Sequence, residues 1–247
     1  MHSRTRRRLG AAAGLALALA GSTARAEDSC DLCRTGRNQS PVRLTGIVQA
    51  PSAPGPLLRH AAETVSVTNN AGKNIMVMMP TGSRNTLTID GATFTLVEFH
   101  FHAPGEHPPG PTADPAPLEA HFVHDRGGAL AVIGVPIQVG AQTHPALARL
   151  LQVLPEPGAP RELPNFDPSA LDFHTRDVLR YSGSLTTGAC AEGVSWFFYA
   201  PGVPLLTISG PDLARYTARF PPYARDPQAL NARVLVRVRP PTRSPVR

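Results

Sequence analysis

A pair of histidines on an alternating segment constrains this chain most strongly. His100 and His102 end the segment 93–102, in which polar and apolar residues largely alternate, and His121 lies in a second such segment, 118–124. Residues two apart in a β-strand share one face of the sheet, so the side chains of His100 and His102 point the same way. If the two segments pair as neighbouring strands, the three imidazoles converge. The sequence therefore predicts a β-sheet that brings three histidines to one point.

Three imidazole ligands are typical of a catalytic zinc site. They leave the fourth tetrahedral position open, whereas structural zinc sites are closed by a fourth protein ligand. Glu119 shares a face with His121, and Glu98 shares a face with His100. Because a ligating imidazole usually donates the N–H of its other ring nitrogen to a carboxylate or carbonyl, we expect these two glutamates to orient the ligands. A His-x-His pair alone is more often a polar element of a half-buried strand, but the third histidine and its glutamate favour a metal site.

Short segments rich in Val, Ile, Thr and Phe, separated by proline and glycine, run along the rest of the chain. They predict strands at 64–68, 75–79, 86–89, 94–102, 118–124, 130–138, 179–186, 194–199 and 234–238. Helical periodicity is confined to 145–153, with weaker helical turns at 168–171 and 211–220. No low-complexity linker divides the chain. We therefore expect one mainly β domain with a few short helices.

The first 26 residues have the composition of an export signal. A basic start is followed by an apolar run at 9–20, and a small-x-small cleavage site ends at Ala26. The apolar run is too short to span a membrane. The arginines before it also resemble a twin-arginine signal, so Sec and twin-arginine export both stay open. We expect residues 27–247 to form a periplasmic or secreted domain without stable membrane insertion.

The positive charge of the chain lies largely in this leader. The whole chain carries a formal net charge of +6, and the leader holds five arginines and no acidic residue, so 19 basic residues stand against 18 acidic ones after it. The arginines at 239–247 lack interleaved aromatic residues. They predict a flexible basic tail, and we expect no nucleic-acid partner.

Three cysteines follow the leader: Cys30, Cys33 and Cys190. An oxidising compartment favours a disulfide between two of them. Cys30 and Cys33 have the spacing of a redox motif, but no βαβ pattern surrounds them, so a thioredoxin-like role is disfavoured. A long-range bridge to Cys190 leaves one thiol unpaired.

Seven short motifs occur in an order that closely resembles the exported, bacterial type of α-carbonic anhydrase. They are Gln-Ser-Pro-Val at 39–42, Phe-His-Phe-His at 99–102, Gly-Glu-His at 105–107, Glu-Ala-His-Phe-Val-His at 119–124, Tyr-Ser-Gly-Ser-Leu-Thr-Thr at 181–187, Glu-Gly-Val-Ser-Trp at 192–196 and Asn-Ala-Arg at 231–233. The resemblance spans about residues 33–235. It implies a large, twisted, mostly antiparallel central sheet with short peripheral helices, and a zinc ion in a cone-shaped cavity.

The resemblance implies a role for each residue of the metal centre. The zinc ligands are His100, His102 and His121. Glu119 is the acceptor for the third ligand, and Asn231 supports the second. The implied cofactor is therefore Zn²⁺, and the implied disulfide joins Cys33 to Cys190, with Cys30 left over.

The resemblance also implies how carbon dioxide is hydrated. Thr186 accepts a hydrogen bond from zinc-bound hydroxide and donates to Glu106, while Thr187 helps to position bicarbonate. An apolar wall that holds carbon dioxide is formed by Val123, Val132, Leu185, Val194 and Trp196.

One departure from the family pattern affects the expected rate of catalysis. Lys73 stands where the family usually has its proton-shuttle histidine. An amine with a pKa near ~10.4 is a poor relay at pH 7, so we expect hydration of carbon dioxide with impaired proton export, with His60 or buffer as substitute carriers. The alternatives are a weakly active or non-catalytic zinc-binding module of the cell envelope and a zinc esterase. Association into a homodimer is left open.

Overall fold

The computed structural model describes residues 30–171, 177–200 and 206–239. The predicted leader and residues 240–247 of the predicted tail lie outside these ranges. The three helices found within them are α1 (Asp31–Thr35), α2 (Pro145–Gln152) and α3 (Gly210–Arg219), and a 3-10 turn covers Pro168–Ala170. None of the described helices is both long enough and apolar enough to cross a membrane.

Thirteen strands are found in the described ranges and form one sheet. They are β1 (Ile47–Pro54), β2 (Leu57–Arg59), β3 (Glu63–Asn69), β4 (Ile75–Met78), β5 (Thr86–Ile89), β6 (Ala92–His102), β7 (Leu118–Arg126), β8 (Ala129–Gly140), β9 (Arg161–Phe166), β10 (Val178–Ser184), β11 (Glu192–Tyr199), β12 (Leu206–Ser209) and β13 (Leu235–Arg239).

The strands follow the order β1-β13-β10-β11-β8-β7-β6-β4-β3-β9, with β12 beside β8 and with β5 joining β6 to β2. Most neighbours are antiparallel; the parallel pairs are β1–β13, β8–β11 and β8–β12. The expectation of a mainly β, single-domain fold with a mostly antiparallel sheet and few short helices is confirmed.

Each predicted strand is present, but some predicted ends were wrong. Strand β10 stops at Ser184, two residues early, so Thr186 lies in the loop that follows it. Arg239, expected to begin a flexible tail, is the last residue of β13 and pairs with Pro54. Four strands were not predicted, namely β1, β2, β9 and β12. Strand β9 shows why: only Leu163 and Phe166 are buried in it, so it lacks a period of two.

The pairing of β6 with β7 creates the convergence that the sequence predicted. His100 lies opposite His121, and His102 lies opposite Glu119. The intervening residues point to the other face, where Phe99 and Phe122 are buried with ring centroids 4.8 Å apart. Burying an aromatic side chain of this kind contributes about 1.5–3 kcal/mol. The alternation therefore places a hydrophobic core behind the strands and the histidines in front.

A disulfide joins helix α1 to the loop that follows β10. Cys33 and Cys190 are bonded across 157 residues, and the Cys30 thiol is free. The pairing implied by the family resemblance is confirmed. The same loop carries Thr186 and Thr187, so the disulfide anchors a segment expected to contribute to the site.

Candidate metal centre

Three ring nitrogens, one from each predicted ligand, lie within 4.8 Å of one another. His102 and His121 are buried, and the His100 side chain is 13% exposed. The Nε2 atoms of His100 and His102 are 3.1 Å apart. Two nitrogens bound at 2.0–2.1 Å to one tetrahedral zinc ion stand about 3.3 Å apart. The spacing therefore fits a shared ion.

The other ring nitrogens of these two histidines show which atoms face the common point. The Glu98 carboxylate lies 2.9 Å from Nδ1 of His100, and the carbonyl oxygen of Tyr223 lies 3.0 Å from Nδ1 of His102. A carboxylate and a carbonyl only accept, so each Nδ1 carries the proton and each Nε2 presents a lone pair. Two lone pairs that face each other at this distance repel unless a cation lies between them. The donor set therefore suits a metal ion.

Glu119 fixes the ring of His121, in which the two nitrogens have exchanged roles: Nε2 faces the acceptor and Nδ1 faces the common point. Its Oε1 lies 2.7 Å from Nε2 of His121, which leaves Nδ1 of that ring for the metal. The same oxygen lies 2.7 Å from Nδ1 of His107, and Oε2 accepts from the backbone N–H groups of Glu106 and His107 at 2.9 and 3.0 Å. A buried carboxylate with four donors is fully satisfied. Glu119 is therefore a rigid acceptor for His121.

The sequence interpretation missed the hydrogen bonds behind Glu119. Nε2 of His107 lies 2.7 Å from the Tyr181 hydroxyl, which lies 3.0 Å from Oγ of Ser40. Because Nδ1 of His107 donates to Glu119, its Nε2 accepts from Tyr181, and Tyr181 in turn accepts from Ser40. Ser40, His107 and Tyr181 all lie in the family motifs at 39–42, 105–107 and 181–187, but the resemblance was not used to assign a role to any of the three.

Burial sets the charge state of the centre. It lowers the pKa of His102 well below its ordinary value, and the neighbouring His121 and His100 add to the effect. Burial also lowers the pKa of His121 to about 4, although the hydrogen bond that His121 donates to Glu119 acts in the opposite direction. Burial alone would raise the pKa of Glu119, but His107 and His121 hold it well below its ordinary value. Neutral imidazoles beside a charged carboxylate are the state that binds a metal.

Glu106 lies against the ligand rings. Its Oε1 accepts from the backbone N–H of Arg225 at 2.8 Å and lies 3.2 Å from Nδ1 of His102. Its Oε2 lies 3.9 Å from Nδ1 of His121. Thr186 is buried in the loop after β10, and Thr187 is half-buried beside it. The bond from Thr186 to Glu106 stays a prediction.

Three of the residues predicted to form the apolar wall lie beside the predicted ligand His121. Val123 lies opposite Val132, and Val132 lies opposite Trp196, so the three form one row across β7, β8 and β11. Val123 follows His121 by two residues and shares its face, and the rings of His121 and Trp196 are 4.9 Å apart. Val194 is also buried, and Leu185 is half-buried.

The prediction that Asn231 supports the second ligand is wrong. Asn231 is exposed, and its side-chain amide donates to the carbonyl oxygen of Arg37. The acceptor at His102 is the backbone carbonyl of Tyr223. A carbonyl is present at every residue, so no side-chain pattern could identify it.

Lys73 lies near the same tyrosine. Its Nζ is 5.1 Å from the centroid of the Tyr223 ring, and that ring stacks on the ring of His102. The residue expected in the place of a shuttle is thus close to the metal centre.

Comparisons with known proteins agree on one family. A family model described as eukaryotic-type carbonic anhydrase matches residues 24–209. A carbonic anhydrase from Neisseria gonorrhoeae is 41% identical over 168 residues, which are 67% of this chain and 64% of that protein. A carbonic anhydrase from Pectobacterium carotovorum is 35% identical over 214 residues, 83% of this chain and 82% of that protein. The match thus spans less than two thirds of the first relative and most of the second.

Solved structures give the same result. The Photobacterium profundum α-carbonic anhydrase is similar with a TM-score of 0.75 and 36% identity, over 85% of this chain and 93% of that one. A hyperthermostable carbonic anhydrase from a hydrothermal vent chimney is similar with a TM-score of 0.78 and 33% identity, over 87% of this chain and 93% of that one.

Proposed function

The chain belongs to the α-carbonic anhydrase family, and on that basis we propose that it catalyses the reversible hydration of carbon dioxide to bicarbonate and a proton, with zinc held by His100, His102 and His121. The observation that carries the proposal is the convergence of three ring nitrogens within 4.8 Å, two of them 3.1 Å apart. This donor group has three members among the described residues, which suits a zinc site with one open position.

Zinc in such a site supplies Lewis acidity, which brings the pKa of coordinated water to about 7. Imidazole binds a metal ion as a neutral ligand, so three such ligands would leave the positive charge of the ion uncancelled. Glu119, fixed by His107 and by two backbone N–H groups, holds the His121 ring in the orientation that presents Nδ1. Glu98 holds Nε2 of His100 toward the same point in the same way.

Thr186 and Glu106 select and aim the nucleophile in this proposal. A threonine hydroxyl that donates its proton to Glu106 has only lone pairs left to offer, so it accepts a hydrogen bond from the attacking oxygen. That bond orients the oxygen toward carbon dioxide. The burial of both side chains and the position of Glu106 against the ligand rings support this role. Thr187, half-buried next in the chain, helps to position bicarbonate.

The apolar wall suits the substrate. Carbon dioxide has no net dipole and forms weak hydrogen bonds, so it partitions onto an apolar surface more readily than bicarbonate does. The wall is formed by Val123, Val132, Leu185, Val194 and Trp196. The continuous row of Val123, Val132 and Trp196 on the face of the ligands supports this assignment.

Proton export is the step that we propose to be impaired. Lys73 stands where the family usually places a histidine relay, and the imidazole of histidine is the side chain best suited to exchange protons near neutral pH. Turnover should then depend on buffer as the proton acceptor.

We further propose that the protein works outside the cytoplasm. The disulfide between Cys33 and Cys190 supports this, because such bonds persist in oxidising compartments.

Stopped-flow carbon dioxide hydration by the zinc-loaded chain tests the proposal. We expect catalysis that a simple aromatic sulfonamide inhibits and that His121→Ala abolishes together with zinc binding. A zinc-loaded chain that leaves the uncatalysed rate unchanged would support the non-catalytic module. Faster turnover of an activated ester than of carbon dioxide would support the esterase.

A further inference from the structure

Lys73 is the only lysine of the chain, and its side chain has a defined neighbour. It lies in the turn between β3 and β4, where its backbone N–H donates to the carbonyl oxygen of Asn70 at 2.9 Å. The next residue back is also fixed, because the N–H of Gly72 donates to Oδ1 of Asn69 at 2.7 Å. From this turn the ammonium reaches 5.1 Å from the centroid of the Tyr223 ring. That distance is within the range of a cation–π interaction.

Tyr223 contacts the metal ligand His102 in two ways. Its carbonyl oxygen lies 3.0 Å from Nδ1 of His102, and its ring stacks on the imidazole with centroids 5.8 Å apart and planes 8° from parallel. Its backbone N–H also donates to the carbonyl oxygen of Ala103 at 3.1 Å, the residue that follows the ligand. A change in the position of Tyr223 therefore reaches His102 through both the carbonyl and the ring.

We propose that Lys73 is a positioning residue for the metal centre: its ammonium holds the ring of Tyr223, and Tyr223 fixes the orientation of His102. The inference rests on the proposed zinc site and adds a role for this chain's own lysine. The turn that would carry a proton relay instead stabilises a ligand. Hydrogen-bond partners of metal ligands strongly affect metal affinity, so a contact on such a partner has a measurable effect.

A relay and a positioning residue predict different results for the same substitution. Removal of a relay lowers kcat in weak buffer and leaves the rate of zinc release unchanged. Removal of a positioning residue increases the rate of zinc release, whatever the buffer concentration. Zinc release to a competing chelator therefore separates the two.

The test is a double-mutant cycle on the full zinc-loaded chain. Lys73→Met removes the charge and keeps the length of the side chain, and it should increase the rate of zinc release about two- to five-fold, the effect expected of an exposed cation–π contact. Tyr223→Leu removes the ring and keeps the carbonyl, and it should increase the rate further. In the Tyr223→Leu background, Lys73→Met should have no additional effect. In the Tyr223→Phe background, which keeps the ring, Lys73→Met should increase the rate of zinc release by the same factor as in the unsubstituted chain.

Arg59→Met is the control for loss of surface charge, because Arg59 is exposed on strand β2. It should release zinc at the unsubstituted rate. Release from Lys73→Met at that same rate would overturn the inference. The inference would also be overturned if Lys73→Met increased the rate of zinc release equally in the presence and in the absence of the Tyr223 ring.

The contact can also be observed directly. ¹³C-methyl labels on the single lysine give one side-chain NMR signal, separate from that of the N-terminal amine. Ring currents should shift this signal upfield, and Tyr223→Leu should return it to the position of a free lysine. A signal already at that position would contradict the inference. Failure of the proposed function looks different, because the unsubstituted chain would then take up no zinc or hydrate no carbon dioxide.

Discussion

One carboxylate joins two buried histidines of this fold: Oε1 of Glu119 lies 2.7 Å from both Nε2 of His121 and Nδ1 of His107. Strand β7 presents Glu119 and His121 on the same face, and the loop after β6 brings His107 back to them. The acceptor of a proposed zinc ligand is thereby built into the hydrogen-bonded core. The relationship makes metal affinity and folding stability depend on the same side chain.

Glu119→Gln should lower zinc affinity about 10- to 100-fold. The amide lacks the negative charge, and its NH₂ group must face either the two imidazoles or the two backbone N–H groups that Glu119 now accepts from. Competition with a chelator measures the effect. Glu98→Gln is the matched control: this side chain is 14% exposed, so water can replace part of its bond to His100, and the loss should be smaller. Equal losses in the two variants would contradict this interpretation.

Tyr181→Phe should lower the free energy of unfolding by about 1–3 kcal/mol. The substitution deprives Nε2 of His107 of its donor and Oγ of Ser40 of its acceptor, both in a buried setting. Denaturant unfolding of the metal-free chain measures the change without a contribution from zinc binding. A free energy within about 0.5 kcal/mol of the unsubstituted value, the range of ordinary surface substitutions, would show that this chain of bonds is not needed.

The metal-free chain should lose stability as the pH falls from 6.5 toward 4. An unfolded histidine takes up a proton near pH 6.5, whereas folded His121 does so only near pH 4, so the unfolded state binds more protons in between. A pKa lowered from 6.5 to about 4 corresponds to about 3 kcal/mol for this group. Below pH 4.5 the low pKa of Glu119 acts in the same direction. Denaturant midpoints across this range test the prediction. His121→Asn should make the profile less steep, and the lowered pKa of His102 should account for part of the slope that is left. A profile that is flat without the substitution would contradict the prediction.

The sequence was informative where alternation and side-chain chemistry coincide. The period of two along 93–102 and 118–124 gave the shared face of His100, His102 and His121 once the strands were assumed to pair. The same period of two predicted that Glu98 lies beside His100 and that Glu119 lies beside His121.

The sequence was uninformative where the main chain or distant segments supply the contact. Tyr223 supports His102 through a backbone carbonyl, whereas the family resemblance implied Asn231, whose side chain instead donates to the carbonyl oxygen of Arg37. The guanidinium of Arg225 binds the carbonyl oxygens of Cys33 and Ser40, nearly two hundred residues away. Contacts of this kind follow from the fold and have no local signature.

Loss of the disulfide should destabilise the chain by about 2–5 kcal/mol, because the bond restricts a long loop of the unfolded state. Cys190→Ser removes the bond to Cys33, and Cys30→Ser is the matched control that removes a thiol outside it. Denaturant unfolding should show a loss for the first variant and little change for the second. Similar stability of the two variants would mean that the bond contributes nothing to the folded chain.

Turnover should rise with the concentration of a small imidazole-type buffer. We propose that Lys73 stands in the relay position, so the buffer must accept the proton. The value of kcat should then depend on the buffer, whereas kcat/KM for carbon dioxide should not. Stopped-flow hydration at pH 7 across buffer concentrations measures both quantities. A kcat that is independent of buffer would show that another group of this chain exports the proton.

Zinc titration of the metal-free, folded chain tests the central claim most directly. We predict that one equivalent of zinc binds, that carbon dioxide hydration appears in proportion to it, and that His121→Ala abolishes both. A folded chain that takes up no zinc, or that takes it up equally well after His121→Ala, would contradict the assignment of the three histidines as a catalytic metal site.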